Sequence, residues 1–203
     1  VEAGVELHKA YRHVQARQEI QAAVDAAPQE TKRIAKQLQG VAKELHYEGD
    51  GNKVLAKAIL ESAMAAAQAK GMGDAETIYN IANLLIEVGG ARQAIDGYRS
   101  VLTMLPHLAN AYHQIGMCYS KLNRLEEAFQ AYSSALSIKP TYAITYNNMG
   151  VLLSKMGRIE EAYVHYKLAS EYDTSYEAAK NNMLTAEMKL AEVEREGRVE
   201  LSY

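Results

Sequence analysis

Residues 123–140 read NRLEEAFQAYSSALSIKP, and residues 157–174, one step of 34 further on, read GRIEEAYVHYKLASEYDT. A chain that repeats itself at a fixed step of roughly 20–50 residues folds as a row of similar units. No unit buries its apolar face alone, and each is closed by its neighbour.

With registers started at Ala75, Ala109 and Ala143, the same character recurs column by column. Column 4 holds Ile78, Tyr112 and Tyr146, column 7 holds Ile81, Ile115 and Met149, and column 8 holds Ala82, Gly116 and Gly150. Column 11 holds Leu85, Tyr119 and Leu153, column 20 holds Ala94, Ala128 and Ala162, column 24 holds Tyr98, Tyr132 and Tyr166, and column 27 holds Val101, Ala135 and Ala169. Both halves of the unit follow the helical period of about 3.6 residues, so each unit is two amphipathic helices with one stripe apiece to bury. Ala or Gly at columns 8 and 20 lets the two backbones approach, and the column-24 tyrosine is expected to fill the space between units. Breaks at Gly89-Gly90, Leu122-Asn123 and Met156-Gly157 make short turns between antiparallel helices. Pro106 and Pro140, in column 32, suit the start of the next unit.

These columns resemble the tetratricopeptide repeat, whose signature has a large residue at column 4, Leu-Gly at 7 and 8, Tyr at 11, Ala at 20, an aromatic at 24 and Pro at 32. The resemblance covers residues 75 to about 176, with two departures: no Trp stands at column 4, and Thr174 takes column 32 of the third unit. It implies an all-α fold, a right-handed α-solenoid of antiparallel helix pairs, with repeats at 75–108, 109–142 and 143–176.

A solenoid needs its terminal apolar faces covered. The run SYEAAKNNMLTAEMKLAEVEREGR holds no Gly or Pro before Gly197 and reads as one helix of roughly 20 residues. It continues the register, with Lys180 at column 4, Met183 at 7 and Leu184 at 8, so residues 177–203 are expected to be a capping helix and tail. Upstream, residues 28–73 read as a degenerate helix-pair repeat. Pro28 opens its first helix, Ile34, Leu38, Val41 and Leu45 form one stripe, and EGDGN at 48–52 breaks it from KVLAKAILESAMAAAQAKG. Residues 1–27 are expected to form a further helix with a weak stripe, a docking segment.

The net charge is −3 and the pI about 6.1, so the chain has no basic excess with which to neutralise a phosphate backbone, and nucleic acid is not an expected partner. No apolar run reaches the ~20 residues that span a bilayer. The opening VEAGVELHKAYRHV has no apolar core of a secretory signal. The lone cysteine, Cys118, permits no internal disulfide, fits a reducing compartment such as the cytoplasm, and reads as a small buried residue in an apolar segment.

No catalytic constellation is legible, and no cofactor or metal is expected. The six histidines lack ligand spacing. Glu48, Asp50 and Asn52 lack the frame of a calcium loop, and Gly71-Met72-Gly73 follows no strand. The glutamate pairs 126–127 and 160–161 sit where they complement a helix dipole.

Function is therefore sought on a surface. In the resembled family the first helices line a concave groove, reached from columns 2, 5, 6, 9, 12 and 13. Column 6 reads Asn80, Gln114, Asn148 and Asn182, a carboxamide at every step, and column 5 adds His113, Asn147 and Asn181. Column 9 gives Asn83, Met117 and Val151, and column 13 gives Lys121, Lys155 and Lys189 after Glu87. Each amide offers two donors and an acceptor, so a ladder of them can satisfy the backbone of an extended peptide without reading its side chains. This resembles the asparagine ladder of the helical arrays of O-linked N-acetylglucosamine transferases. The competing reading is that these amides bridge neighbouring helices. Columns 2, 5, 6 and 9 of the three clear units hold no Lys or Arg, so the family's grip on a chaperone C-terminal carboxylate is not expected. The sequence thus points to a non-enzymatic scaffold or adaptor that holds a protein or peptide segment. The alternatives are a structural subunit of a large assembly and a regulatory piece of a larger enzyme.

Overall fold

The computed structural model describes residues 53–68 and 74–200, with the single positions Gln18 and Gly40 before them. Apart from those two positions, the expected N-terminal helix at 1–27 and the first helix of the pair at 28–73 lie outside the described residues. The described residues form eight α-helices and no strand, and the chain divides into two compact units, Val1–Pro106 and His107–Tyr203.

The first unit contains α1 (Lys53–Gln68), α2 (Ala75–Glu87) and α3 (Ala91–Met104), with α2 packed on both of the others. Its core includes Leu60 and Ala63 of α1, Ile81 and Leu85 of α2, and Tyr98 and Val101 of α3. Asp74 caps α2 by accepting from the Thr77 amide at 2.7 Å, an interaction that stabilises a helix start by roughly 1 kcal/mol. The Tyr98 hydroxyl, at the inner end of a buried ring, donates to Asn83 Oδ1 at 2.6 Å.

The second unit contains α4 (Ala109–Lys121), α5 (Leu125–Ile138), α6 (Ala143–Lys155), α7 (Ile159–Tyr172) and α8 (Glu177–Glu200). α4 pairs with α5, α6 pairs with α7, and α8 closes the stack by packing on α7 and α6. The helices open at Ala75, Ala109 and Ala143 and end alike. Residues 89, 123 and 157, one step of 34 apart, are Gly, Asn and Gly with φ of 81°, 57° and 78°. This is the left-handed region that glycine enters freely and asparagine tolerates. The amide of the next residue then reaches back to a carbonyl of the last turn: Arg124 N to Tyr119 O at 2.9 Å, and Arg158 N to Leu153 O at 3.0 Å. Arg124 and Arg158 also start the following helices, where Nε of Arg124 donates to Glu127 at 2.8 Å and Nε of Arg158 to Glu161 at 2.6 Å.

Small residues at column 8 set how closely the paired helices lie. A methyl group on Gly116 would stand 2.6 Å from the Tyr132 ring, and one on Gly150 would stand 2.6 Å from the Tyr166 ring and 3.1 Å from the Ala162 carbonyl. The column-24 tyrosine thus lies across the glycine of its own repeat. In these two repeats this differs from the expectation that it fills the gap to the next, because the missing side chain of the glycine leaves room for the ring at that crossing. α8 is the expected capping helix, and it continues through Gly197 to Glu200. It buries Ala179 and Ala186 and leaves Leu184, Met188 and Val193 exposed.

Candidate functional site

Two constraints locate the free side of the first helices in the second unit. Gly116 and Gly150 mark the side of α4 and α6 that meets the paired helix. At about 100° per residue, columns 2, 6, 9 and 13 point roughly 100–160° away from that side. None of these positions is buried: Gln114, Met117, Asn148, Val151 and Asn182 are half-buried, and Lys121, Lys155 and Lys189 are exposed. Ile144, at column 2 of α6, is 43% exposed although it is fully apolar. In the first unit the same columns of α2 carry Asn80 and Asn83, both half-buried.

Column 5 turns elsewhere, toward the next first helix. His113 is 4% exposed; its Nδ1 lies 2.8 Å from Thr145 Oγ1 of α6, and its ring packs on Tyr132 and Tyr142 at 5.7 and 5.3 Å. Burial lowers its pKa to about 4, so the ring is neutral at pH 7. Asn147 is 6% exposed and accepts from Asn182 Nδ2 of α8 at 2.9 Å, while its own amide donates to the Tyr176 hydroxyl at 3.3 Å. His113 and Asn147 therefore join neighbouring helices instead of lining an open surface. Asn181, in the same column of α8, is exposed, and Asn83 is held by Tyr98.

The bridging partners Tyr142 and Tyr176 escape a residue-by-residue reading, yet their spacing of 34 was a signal. The Tyr142 hydroxyl donates to Asn110 Oδ1 at 2.8 Å, Lys139 lies 4.4 Å above the ring, and the ring packs at a tilt against His113. Between them these contacts tie α4 to α6, and α6 to α8, without using Met117 or Val151. Cys118 is fully buried, and burial lifts its thiol to about 12 against the opposing pull of Lys121, so it offers no thiolate.

The family model described as a tetratricopeptide repeat matches residues 143–176, and one described as a TPR repeat matches residues 116–157. Residues 116–176 belong to the tetratricopeptide repeat family. No curated protein sequence matches it. Among solved structures, the tetratricopeptide protein YrrB, described as having an unusual peptide-binding site, aligns at TM-score 0.61 and 19% identity over 86% of this chain and 85% of its own. The Sgt2 domain from Aspergillus fumigatus aligns at 0.57 and 20% identity over 60% and 82%. The first repeat domain of Spaghetti (RPAP3), solved with the HSP90 peptide SRMEEVD, aligns at 0.56 and 20% identity over 58% and 94%. These likenesses establish the helical-pair fold. No described helix is long and apolar enough to cross a membrane.

Proposed function

We propose that the chain is a non-enzymatic scaffold that holds a segment of a partner protein on the free flank of its first helices. The observation that carries this is the flank of α4, α6 and α8. The columns that carry the amides Gln114, Asn148 and Asn182 share that flank with Met117, Ile144 and Val151, and among the described residues no paired helix packs on that side. Amides suit a partner's backbone, and the apolar side chains gain from burial at about 25 cal/mol per Å². Structures of similar fold that hold peptides support the reading. His113 and Asn147 act in it only as struts between helices. Asn80 and Asn83, at columns 6 and 9 of α2, are assigned the same role within the first unit, and Asn181, the exposed column-5 residue of α8, is assigned a contact at the edge of the second unit's flank.

The test is affinity capture followed by quantitative mass spectrometry, comparing the full chain with Gln114→Ala/Asn148→Ala, each checked for an unchanged thermal midpoint. Loss of specific captured proteins with the double variant supports the scaffold role. An identical captured set removes the flank from it.

A second reading has its own observation. Leu184 and Met188, one turn apart on α8, are 52% and 67% exposed. Such a bare face suits a subunit packed permanently in a larger assembly. It predicts that Leu184→Ser/Met188→Ser lowers co-purification of stable neighbours while leaving segment capture intact.

A further inference from the structure

We propose, resting on the scaffold reading above, that the segment held by the second unit is acidic as well as apolar, with its side-chain carboxylates set against Lys121, Lys155 and Lys189. These three lysines occupy column 13 of α4, α6 and α8, all are exposed, and none forms an ion pair among the described residues. Columns 2, 5, 6, 9, 12 and 13 of those helices contain no Asp or Glu. Among the acids of the paired helices, Glu126, Glu127, Glu160 and Glu161 lie at the starts, where Glu127 and Glu161 pair with Arg124 and Arg158, and Glu171 stands in the last turn of α7.

The plainer account of Lys121 and Lys155 is that each stands in the last turn of its helix, where any cation is favoured by the dipole. That account does not reach Lys189. It lies within α8, which runs on to Glu200, and so serves no helix end. What the three share is the flank, not the terminus. The same column of α2 holds Glu87, so the basic row belongs to the second unit.

The spacing gives the partner a pattern. α4 touches α6 through His113 and Thr145, and α6 touches α8 through Asn147 and Asn182. Packed helices stand about 8–10 Å apart, which a chain in the polyproline II conformation, rising about 3.1 Å per residue with three residues per turn, covers in one turn, so that every third side chain faces the same way. Carboxylates at every third residue, with apolar side chains between them for Met117, Ile144 and Val151, therefore match the flank. The charges concerned are side-chain charges, so the segment needs no free C-terminus.

The experiment uses the full chain and three labelled twelve-residue peptides, N-acetylated and C-amidated, that share their apolar residues. They carry Glu, Gln or Lys at every third position, and binding is read by fluorescence anisotropy at two salt concentrations. The Glu peptide is expected to bind at least about tenfold more tightly than the Gln peptide and to weaken with salt, while the Lys peptide binds least. Lys121→Glu/Lys155→Glu should reverse the order, and the milder Lys121→Gln/Lys155→Gln should level it without loss of fold. Equal binding of all three peptides, with Gln114→Ala/Asn148→Ala weakening all alike, overturns the acidic assignment and leaves the scaffold reading standing. Binding by none of them overturns both. An unchanged Glu preference in the lysine variants also overturns the assignment.

Discussion

Acid should weaken the second unit through one side chain. His113 is held neutral between α4, α5 and α6, with Thr145, Tyr132 and Tyr142 around it and no carboxylate facing it in those contacts. Its folded pKa is lowered to about 4, against an ordinary value near 6.5. The unfolded chain therefore binds the proton more readily, and stability falls as pH drops through 6.5 and continues to fall until about 4. The loss is about 2 kcal/mol at pH 5 and about 3 kcal/mol in the acid limit. Glu127, Glu161 and Asp173, whose pKa values are lowered by hydrogen bonds from Arg124, Arg158 and Ser175, add to the loss only at lower pH. Urea unfolding followed by circular dichroism at pH 7.5 and 5.0 measures the effect. With a slope of roughly 2 kcal/mol per M, the midpoint should fall by about 1 M. His113→Gln, which keeps a partner for Thr145, should be less stable at pH 7.5 and lose much less between the two pH values. An equal loss in both proteins would refute the assignment of His113 as a buried neutral strut.

Gly150→Ala should destabilise by about 1–3 kcal/mol despite alanine's helical advantage of roughly 1 kcal/mol, because the methyl meets the Tyr166 ring and the Ala162 carbonyl. Gly157→Ala should cost about 1–2 kcal/mol for a different reason: nothing lies near its methyl, and the penalty is the left-handed backbone alone. Thermal unfolding checks both, and a stabilised Gly150→Ala would contradict the close crossing of α6 and α7. Cys118 should react with a thiol reagent at pH 8 at least about a hundredfold more slowly in the folded chain than in urea, since it is buried and its thiol is held protonated. Rapid labelling of the folded protein would refute that placement.

The helix pairs were readable because three features recur at one step: a small residue at column 8, a tyrosine at column 24, and a left-handed residue at 89, 123 and 157. Each has a local cause that survives in any copy of the repeat. The flank was harder, because polarity alone does not say which way a side chain points. His113 and Asn147 read as surface groups. Their partners, Thr145 and Asn182, lie 32 and 35 residues away on another helix. The helical angle separates column 5 from columns 6, 9 and 13, but only when the side occupied by the paired helix is known. The carboxamides that look alike in sequence thus divide: Asn147 is a buried strut, while Gln114 and Asn148 remain half-exposed.

Site-specific photo-crosslinking tests the central claim most directly. A photoreactive residue is placed singly at Gln114 or Asn148 on the free flank, and at Gln130 or Val164 on the exposed side of the paired helices. Adducts to partner proteins formed from 114 and 148, and absent from 130 and 164, are the predicted result. The reverse pattern, with the flank silent and α5 and α7 reactive, would contradict it.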